Sequence, residues 1–391
     1  MLRHRDFRNL FIGQSLSTFG DRIVFVALAL YVTEIGTPSD VGLVLAAHAL
    51  PLVGLILLGG VLADRISRTR VMIGSDIARC ALHALLAALI FTGAVEIWHI
   101  VVIEALYGCA EAFFKPAQTG LLPQTVPEEE IQQARAASGT IETVAEFAGP
   151  ALATALVLGL GAGWAFAIDA ATFLVSIAFL LRVRPRERGV AVAAQTVLAD
   201  LRDGWRAFRA SDWLWGEVSV MSLWNATFAI FRVVGPVVAI RPALWATVLT
   251  ATGIGAVIGG LVLVRVRPRR PGILLSAGLL CSCGPALALA AGLPTAVVAA
   301  AAVLAGAGSI GFNATWESTV QREVPRESLS RVMAYDMFGS FALAPVGYAL
   351  GGLLVAPLGA RPTLYAAGFL LAALAALLWT IPGIRRLRAP V

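Results

Sequence analysis

Positive charge in this 391-residue chain is confined to particular gaps between long apolar runs. Of its 30 Lys and Arg, 24 fall in alternate connections and at the two ends. They are Arg3, Arg5 and Arg8; Arg65, Arg68, Arg70 and Arg135; and the groups Arg182 to Arg209, Arg265 to Arg270, Arg322 to Arg331 and Arg385 to Arg388. Only Arg241 and Arg361 occupy the remaining connections, while Arg22, Arg79, Lys115 and Arg232 lie within apolar runs. Basic residues in every second loop are the positive-inside signature of a chain threaded repeatedly through a membrane, and they fix which face is cytoplasmic.

The composition requires the same environment. The chain is 58% hydrophobic and 14% charged, with a mean hydropathy of +0.82, whereas soluble domains are about half apolar and about a quarter charged. A net charge of +6 and a pI near 9.6 would suit a nucleic-acid partner. Here the arginines flank apolar runs, where anionic lipid headgroups meet them, so lipid bilayer and not nucleic acid is the expected partner.

Apolar runs of about 20 residues, the length that crosses a hydrocarbon core, divide the chain into twelve helices. They fall near 10–33, 41–63, 72–94, 97–117, 136–160, 163–182, 214–240, 243–264, 272–292, 294–316, 333–356 and 361–382. The expected fold is an all-α polytopic membrane protein. An even number of crossings returns both termini to the cytoplasmic side of the cell inner membrane, as the arginines demand. The first run is not read as a signal peptide, because it carries Asp21 and Arg22 and lacks a small-residue cleavage site.

The sixth and seventh helices are separated by the longest polar stretch, giving an N-terminal bundle at 1–183, a linker at 184–212 and a C-terminal bundle at 213–391. Within the linker, Val197 to Phe208 sets Trp205 and Phe208 among Asp200, Arg202, Asp203, Arg206 and Arg209. Such a segment suits the headgroup interface, or a plain connecting helix. The two bundles repeat one another. Val126-Pro127 matches Val324-Pro325 at an offset of 198 residues, and that offset also pairs Leu106 with Leu304, Gly108 with Gly306, Phe114 with Phe312 and Gly149 with Gly347. Six-plus-six duplication in one orientation is the parallel repeat of transporters whose halves rock about a central site.

Gly59-Gly60-Val61-Leu62-Ala63-Asp64-Arg65-Ile66-Ser67-Arg68-Thr69-Arg70 resembles motif A of the major facilitator superfamily, G-x-x-x-D-R-x-G-R-R/K. It matches at Gly60, Asp64, Arg65, Arg68 and Arg70, and departs at Ser67, where glycine is usual; a φ > 0 turn there would cost serine more. Gly149-Pro150 resembles motif C, a signature of the superfamily's antiporters, and small residues plus proline predict close helix approach with a bend. Asp6-Phe7-Arg8-Asn9-Leu10, Gly13-Gln14, Gly20-Asp21, Phe114-Lys115-Pro116-Ala117 and Ala165 to Phe173 resemble the twelve-helix drug/proton antiporter branch, which includes macrolide exporters and the enterobactin exporter. The resemblance implies a major facilitator fold in which Asp64 latches the cytoplasmic side against the start of the eleventh helix, near Arg331 to Asp336. A carboxylate at a helix N-terminus is favoured by up to about 1 kcal/mol, so such a latch is physically reasonable. The equivalent second loop, Gly260 to Arg270, has Val264 in place of the aspartate, so the latch is expected on one side only.

Acidic residues inside apolar runs are the candidate chemistry, since a charge at bilayer depth costs at least roughly 2.5–3.5 kcal/mol and persists only with a partner, water or a task. Asp21 and Glu146 lie near mid-depth, Glu104 and Asp169 toward the outside, Glu111 and Glu142 toward the cytoplasm. Asp21, Glu111, Glu142 and Glu146 are the expected proton-coupling groups. Glu142 and Glu146, four apart, are like charges on one helix face. Glu111 with Lys115, and Asp76 with Arg79, are spaced to pair on one face and read as structural. Glu317 and Asp336 read as solvated anchors at helix ends.

Trp224, Asn225, Phe228, Phe231 and Arg232 share one helical face, as do Phe312, Asn313 and Trp316. A mostly apolar cavity with few polar groups suits an amphiphilic ligand, so Trp224, Asn225, Phe228, Arg232, Asn313 and Trp316 are the expected substrate contacts. His4, His48, His83 and His99 are scattered along the chain, and Cys80, Cys109, Cys281 and Cys283 lack zinc-ligand spacing. No P-loop is present. Neither enzyme activity, metal nor cofactor is expected. A monomeric exporter of small molecules driven by protons is, with uptake or facilitation of a solute and a non-transporting sensor as the alternatives. Reporter fusions at Arg68, Arg186 and Arg326 should be cytoplasmic and those at Pro38, Ala94 and Arg361 external; inverted labelling would overturn the orientation.

Overall fold

A computed structural model describes residues 1–185, 202, 205, 206, 208–239, 242–265, 270–324 and 326–386. Among these, twelve helices are long and apolar enough to cross a membrane. In chain order they are α1 (Arg5–Ile35), α2 (Pro38–Arg65), α3 (Arg68–Thr92), α4 (Ile97–Leu121), α5 (Ile131–Leu160) and α6 (Ala162–Leu180). The rest are α7 (Asp212–Val238), α8 (Pro242–Arg265), α9 (Pro271–Cys281, continued by Cys283–Ala290), α10 (Thr295–Glu323), α11 (Arg326–Phe341, continued by Ala344–Leu353 and Val355–Leu358) and α12 (Ala360–Thr380). Two interruptions have a local cause. Pro285 and Pro345 lack an amide hydrogen and crowd the carbonyl four residues back, and the chain breaks at Ser282 and at 342–343. By contrast α5 runs unbroken through Pro150.

Two compact units result, Met1–Gly36 with Leu43–Val192, and Thr37–Gly42 with Ala193–Val391. Large apolar side chains point outward from both: Leu50, Leu158 and Leu160 in the first, Leu304, Leu353 and Phe369 in the second are all exposed. A water-soluble surface does not carry apolar exposure on this scale; hydrocarbon accepts it without cost.

Inside each unit, glycines let helices approach to backbone contact. A Cβ on Gly108 of α4 would strike the His48 carbonyl of α2, and one on Gly306 of α10 would strike the Thr252 carbonyl of α8. Gly149 of α5 meets Arg22 of α1, and Gly347 of α11 meets Ala226 of α7. Positions paired by the 198-residue offset thus carry equivalent contacts. Without a hydrophobic driving force between helices in lipid, such close packing is the main source of association. In motif A it is Gly59 that meets α4, at Ala112, whereas Gly60 faces open space.

The α5–α6 and α11–α12 turns obey the same offset, through Gly161 and Gly359. Gly161 has φ 97° and ψ 159°, and Gly359 has φ 84° and ψ 155°, a region open essentially to glycine alone. Gly161→Ala and Gly359→Ala should each destabilise the purified protein by about 1–3 kcal/mol, read as a lower midpoint of thermal unfolding in detergent. Gly60→Ala, in open space within a helix, should leave that midpoint level or raise it by up to about 1 kcal/mol in stability.

Candidate functional site

Polar stripes on five helices of the first unit converge on one buried network. On α4, Glu104, Tyr107, Glu111 and Lys115 recur at intervals of three or four, which places them on one face. Asp76, Arg79 and His83 do the same on α3. Asp21 from α1, His48 from α2, and Asp169 and Ser176 from α6 complete the set. Asp76, Arg79, His83, Glu104 and Asp169 are all at most 2% exposed.

Arg79 is the centre of one arm. Its guanidinium pairs with Asp76 and lies 3.8 Å from Asp21 Oδ1, while its Cζ sits 4.0 Å from the Phe114 ring centroid and 4.4 Å from that of Phe173. Tyr107 Oη donates to Asp21 Oδ1 at 2.6 Å. Ser176 Oγ donates to Asp76 Oδ2 at 2.6 Å, and Gln14 Nε2 to Ser176 Oγ at 2.9 Å.

The other arm is built on histidines. His48 Nδ1 is 3.1 Å from Glu104 Oε2 and its Nε2 is 3.1 Å from Glu111 Oε2, and Lys115 Nζ reaches Glu111 Oε1 at 3.4 Å. His83 Nδ1 is 2.5 Å from Asp169 Oδ2. The His83 ring stacks on Tyr107, centroids 4.2 Å apart and planes 10° apart, so Tyr107 joins the two arms.

These contacts revise several expectations. Two of the four histidines come together in space, His48 and His83 both converging on Glu104, whereas His4 lies at Glu130 and His99 at the start of α4 beside Glu96. The Asp76–Arg79 and Glu111–Lys115 pairs form as their spacing predicts, but neither is isolated, because each continues into the network. Asp21 and Glu111 belong to it. Glu142 and Glu146 lie instead on an exposed face of α5.

Motif A divides similarly. Arg68 Nη1 donates to the Gly120 carbonyl at 2.7 Å, placing a cation on the carbonyl-rich C-terminus of α4, where the helix dipole favours it. Arg65 and Arg70 are exposed. Ser67 precedes α3 with φ −51°, so the costly φ > 0 turn considered for it does not arise. The Asp64 side chain, and with it the latch, lies outside the described residues, as does most of the 184–212 linker. At the linker's end, Phe208 is not at an interface but buried in the second unit's core, with its ring 6.0 Å from Tyr335.

In the second unit the expected substrate face is partly assembled. Trp224 stacks on Phe228 with centroids 4.8 Å apart, the Arg232 guanidinium lies 5.2 Å from the Phe228 ring, and Trp316 belongs to the same core as Trp224. Asn225 turns toward α11, its Nδ2 donating to Ser340 O at 3.0 Å. Asn313 is exposed while its neighbours Phe312 and Trp316 are buried. Asp336 corrects a reading: it is no solvated anchor, but is 8% exposed and accepts from Trp316 Nε1 at 3.3 Å. Sequence reasoning also passed over Glu217, which is 1% exposed on α7; an acidic residue in an apolar run was the signal that marks it.

Residues 1–389 match the family model described as transmembrane secretion effector. The chain belongs to the major facilitator superfamily. Similar proteins include macrolide efflux protein A of Streptococcus pyogenes, 23% identical over 97% of each chain. The uncharacterized MFS-type transporter YfiS of Bacillus subtilis (strain 168) is 31% identical over 46% of this chain and 42% of that protein. The fold is shared with a bacterial homolog of the human lysosomal transporter Spinster, at TM-score 0.74 and 17% identity over 99% of each chain. It is shared also with the peptide transporter POT, at TM-score 0.74 and 14% identity over 98% and 95%. The chain is thus a multi-pass membrane transporter of this superfamily.

Arg79 is the member whose loss the network tolerates least. Removing one partner of a buried ion pair leaves an uncompensated charge at a cost of about 3–5 kcal/mol, so Arg79→Gln should lower stability by that order. Arg79→Lys should recover only part, because an ammonium does not stack between Phe114 and Phe173 as a planar guanidinium does. Thermal unfolding of the two purified variants checks this, and a loss below about 1 kcal/mol for Arg79→Gln would show the pair to be dispensable.

Proposed function

We propose that this transporter is a secondary exporter of amphiphilic small molecules, of macrolide, drug or siderophore type, driven by proton entry and working by alternating access. In this reading it acts as a monomer in the cytoplasmic membrane with both termini inside. The carrying observation is the charge of the buried network. Among the described residues it holds five carboxylates, those of Asp21, Asp76, Glu104, Glu111 and Asp169, against two permanent cations, Arg79 and Lys115. Uncompensated charge is costly at this depth, and two histidines and bound protons are what remain to balance it. A site whose charge depends on protons is what coupling to a proton gradient requires.

In this reading the first unit handles protons through Asp21, Glu111 and their buried neighbours, with Glu142 and Glu146 as water-facing groups on α5. Trp224, Asn225, Phe228, Arg232, Asn313 and Trp316 of the second unit contact substrate. Gly60, Asp64, Arg65, Arg68 and Arg70, with Gly149 and Pro150, gate the cycle. Similarity to macrolide efflux protein A along almost the whole chain supports export over uptake.

Inside-out vesicles given a macrolide and an imposed pH gradient test the proposal. The wild type should accumulate the drug uphill and lose it when a protonophore is added. Asp21→Asn should abolish uphill accumulation, a loss of roughly 10²-fold or more, yet leave drug binding measurable. Accumulation indifferent to the gradient would leave facilitated passage, and movement only in the opposite direction would favour uptake.

A further inference from the structure

The histidine arm has a connectivity that goes beyond a store of charge. Its members alternate strictly: Glu111, His48, Glu104, His83 and Asp169, each imidazole lying between two carboxylates. The links are 3.1 Å from Glu111 Oε2 to His48 Nε2, 3.1 Å from His48 Nδ1 to Glu104 Oε2, and 2.5 Å from His83 Nδ1 to Asp169 Oδ2. The remaining link, His83 Nε2 to Glu104 Oε1, is 3.6 Å, too long for a hydrogen bond. Both of its atoms are buried, and neither has any hydrogen-bond partner. Two orphaned polar atoms facing each other are costly to leave unmade, and closing a gap of this size takes only a small side-chain movement.

An imidazole takes a proton on one nitrogen and releases one from the other, so it passes protons between its two carboxylates without leaving its place. Resting on the proton-driven reading above, we propose that Glu111, His48, Glu104, His83 and Asp169 form a proton relay across four helices, and that the open contact between His83 and Glu104 is its switch. A proton arriving at Asp169 from one side moves to His83 Nδ1. His83 gives its Nε2 proton to Glu104 when that contact closes, Glu104 passes it to His48 Nδ1, and His48 releases its Nε2 proton to Glu111. No bond other than those to protons forms or breaks, and each imidazole ends as the opposite tautomer, which a ring flip must restore before the next proton can follow. Glu104 and Glu111 are seven residues apart on α4, so this part of the path covers about 10 Å along the helix axis at 1.5 Å per residue.

His83 is enclosed by groups from every helix packed around it. Asp169, Phe166 and Phe173 face it from α6, Glu104 and Tyr107 from α4, Arg79 from its own helix, and His48 stands beyond Glu104 from α2. Asp21 of α1 is reached through Tyr107 and Arg79. Tyr107 is a positioning residue: its ring holds the His83 plane, and its hydroxyl serves Asp21.

The test uses full-length protein reconstituted in liposomes with a macrolide. His83→Gln, which keeps hydrogen-bonding capacity but cannot relay, should lose uphill export by roughly tenfold or more, while substrate counterflow, which needs no net proton movement, stays within about twofold of wild type. Tyr107→Phe, which keeps the stacked ring, should preserve the histidine-dependent limb of the pH profile. If wild type and Asp21→Asn behave as proposed but His83→Gln exports with an unchanged pH profile, the relay falls while the exporter reading stands. If wild type shows no uphill export, that reading fails first. Should His83→Gln not fold, the wild type still decides the matter, because the chain has only four histidines and ring-15N labelling resolves them. The two buried rings, His48 and His83, should each exchange between their two tautomers, and Glu104→Gln should alter the exchange of both. Rings locked in a single tautomer would overturn the proposal.

Discussion

Buried charge in a medium that cannot solvate it is the constraint on which the first unit is organised. The Arg79 guanidinium, 1% exposed, is held between two aromatic faces and two carboxylates contributed by α1 and α3. A carboxylate from α6 or a histidine from α3 would each be prohibitively expensive alone. Together they compensate one another, and the requirement that they meet fixes the mutual rotation of α1, α3, α4 and α6 more tightly than apolar packing does. Apolar side chains are interchangeable against lipid, whereas a misrotated helix would leave Asp76 or Asp169 unpaired. Polar pairing therefore supplies specificity, and glycine-mediated close approach supplies most of the cohesion.

What was legible in the sequence follows from the range of the signal. Twelve crossings could be read because each is a long apolar run, and their ends moved only where capping and loop geometry intervene: α5 starts at Ile131 and α11 at Arg326, earlier than the apolar pattern because their first turns are polar. Pairs within one helix were legible too, since Asp76 with Arg79 and Glu111 with Lys115 obey helical spacing. Pairs between helices were not. Nothing local in the chain tells that His48 meets Glu104 and Glu111, or that His83 meets Asp169 across 86 residues. Asp336 was misread for the same reason: its position near the start of a run suggested solvent, and only the packing of α10 against it brings Trp316 within reach. Asn313 shows the converse, as it shares a face by spacing yet falls just outside the buried sector.

Duplication gave both units one skeleton and left their chemistry free to diverge. The paired glycines hold the same helix contacts in each, and Gly161 and Gly359 make the same turn. Phe114 and Phe312 are each 4% exposed in their respective cores. Along α4 and α10, however, the 198-residue offset replaces Glu104 by Ala302, Tyr107 by Ala305, Glu111 by Ser309 and Lys115 by Asn313. Every ionisable member of the stripe is exchanged for a small or neutral residue.

That exchange has a packing consequence as well as a chemical one. Without the stripe, α10 carries small residues on successive turns, and a Cβ on Gly308 would meet the Gly278 carbonyl of α9, just as one on Gly255 of α8 would meet the Val303 carbonyl. The second unit thus adds a backbone contact between α9 and α10 to the α8–α10 contact that the first unit makes equally between α2 and α4. Its large side chains concentrate instead on α7, α10 and the start of α11, where Trp213, Trp224, Phe228, Trp316 and Tyr335 pack on one core. Aromatic packing gives the second unit apolar area with few fixed hydrogen-bonding directions, whereas the first unit's connected carboxylates and imidazoles depend on one another for charge compensation. Keeping the two chemistries on separate duplicated scaffolds lets the aromatic core change without disturbing the charge balance on which the first unit's fold depends.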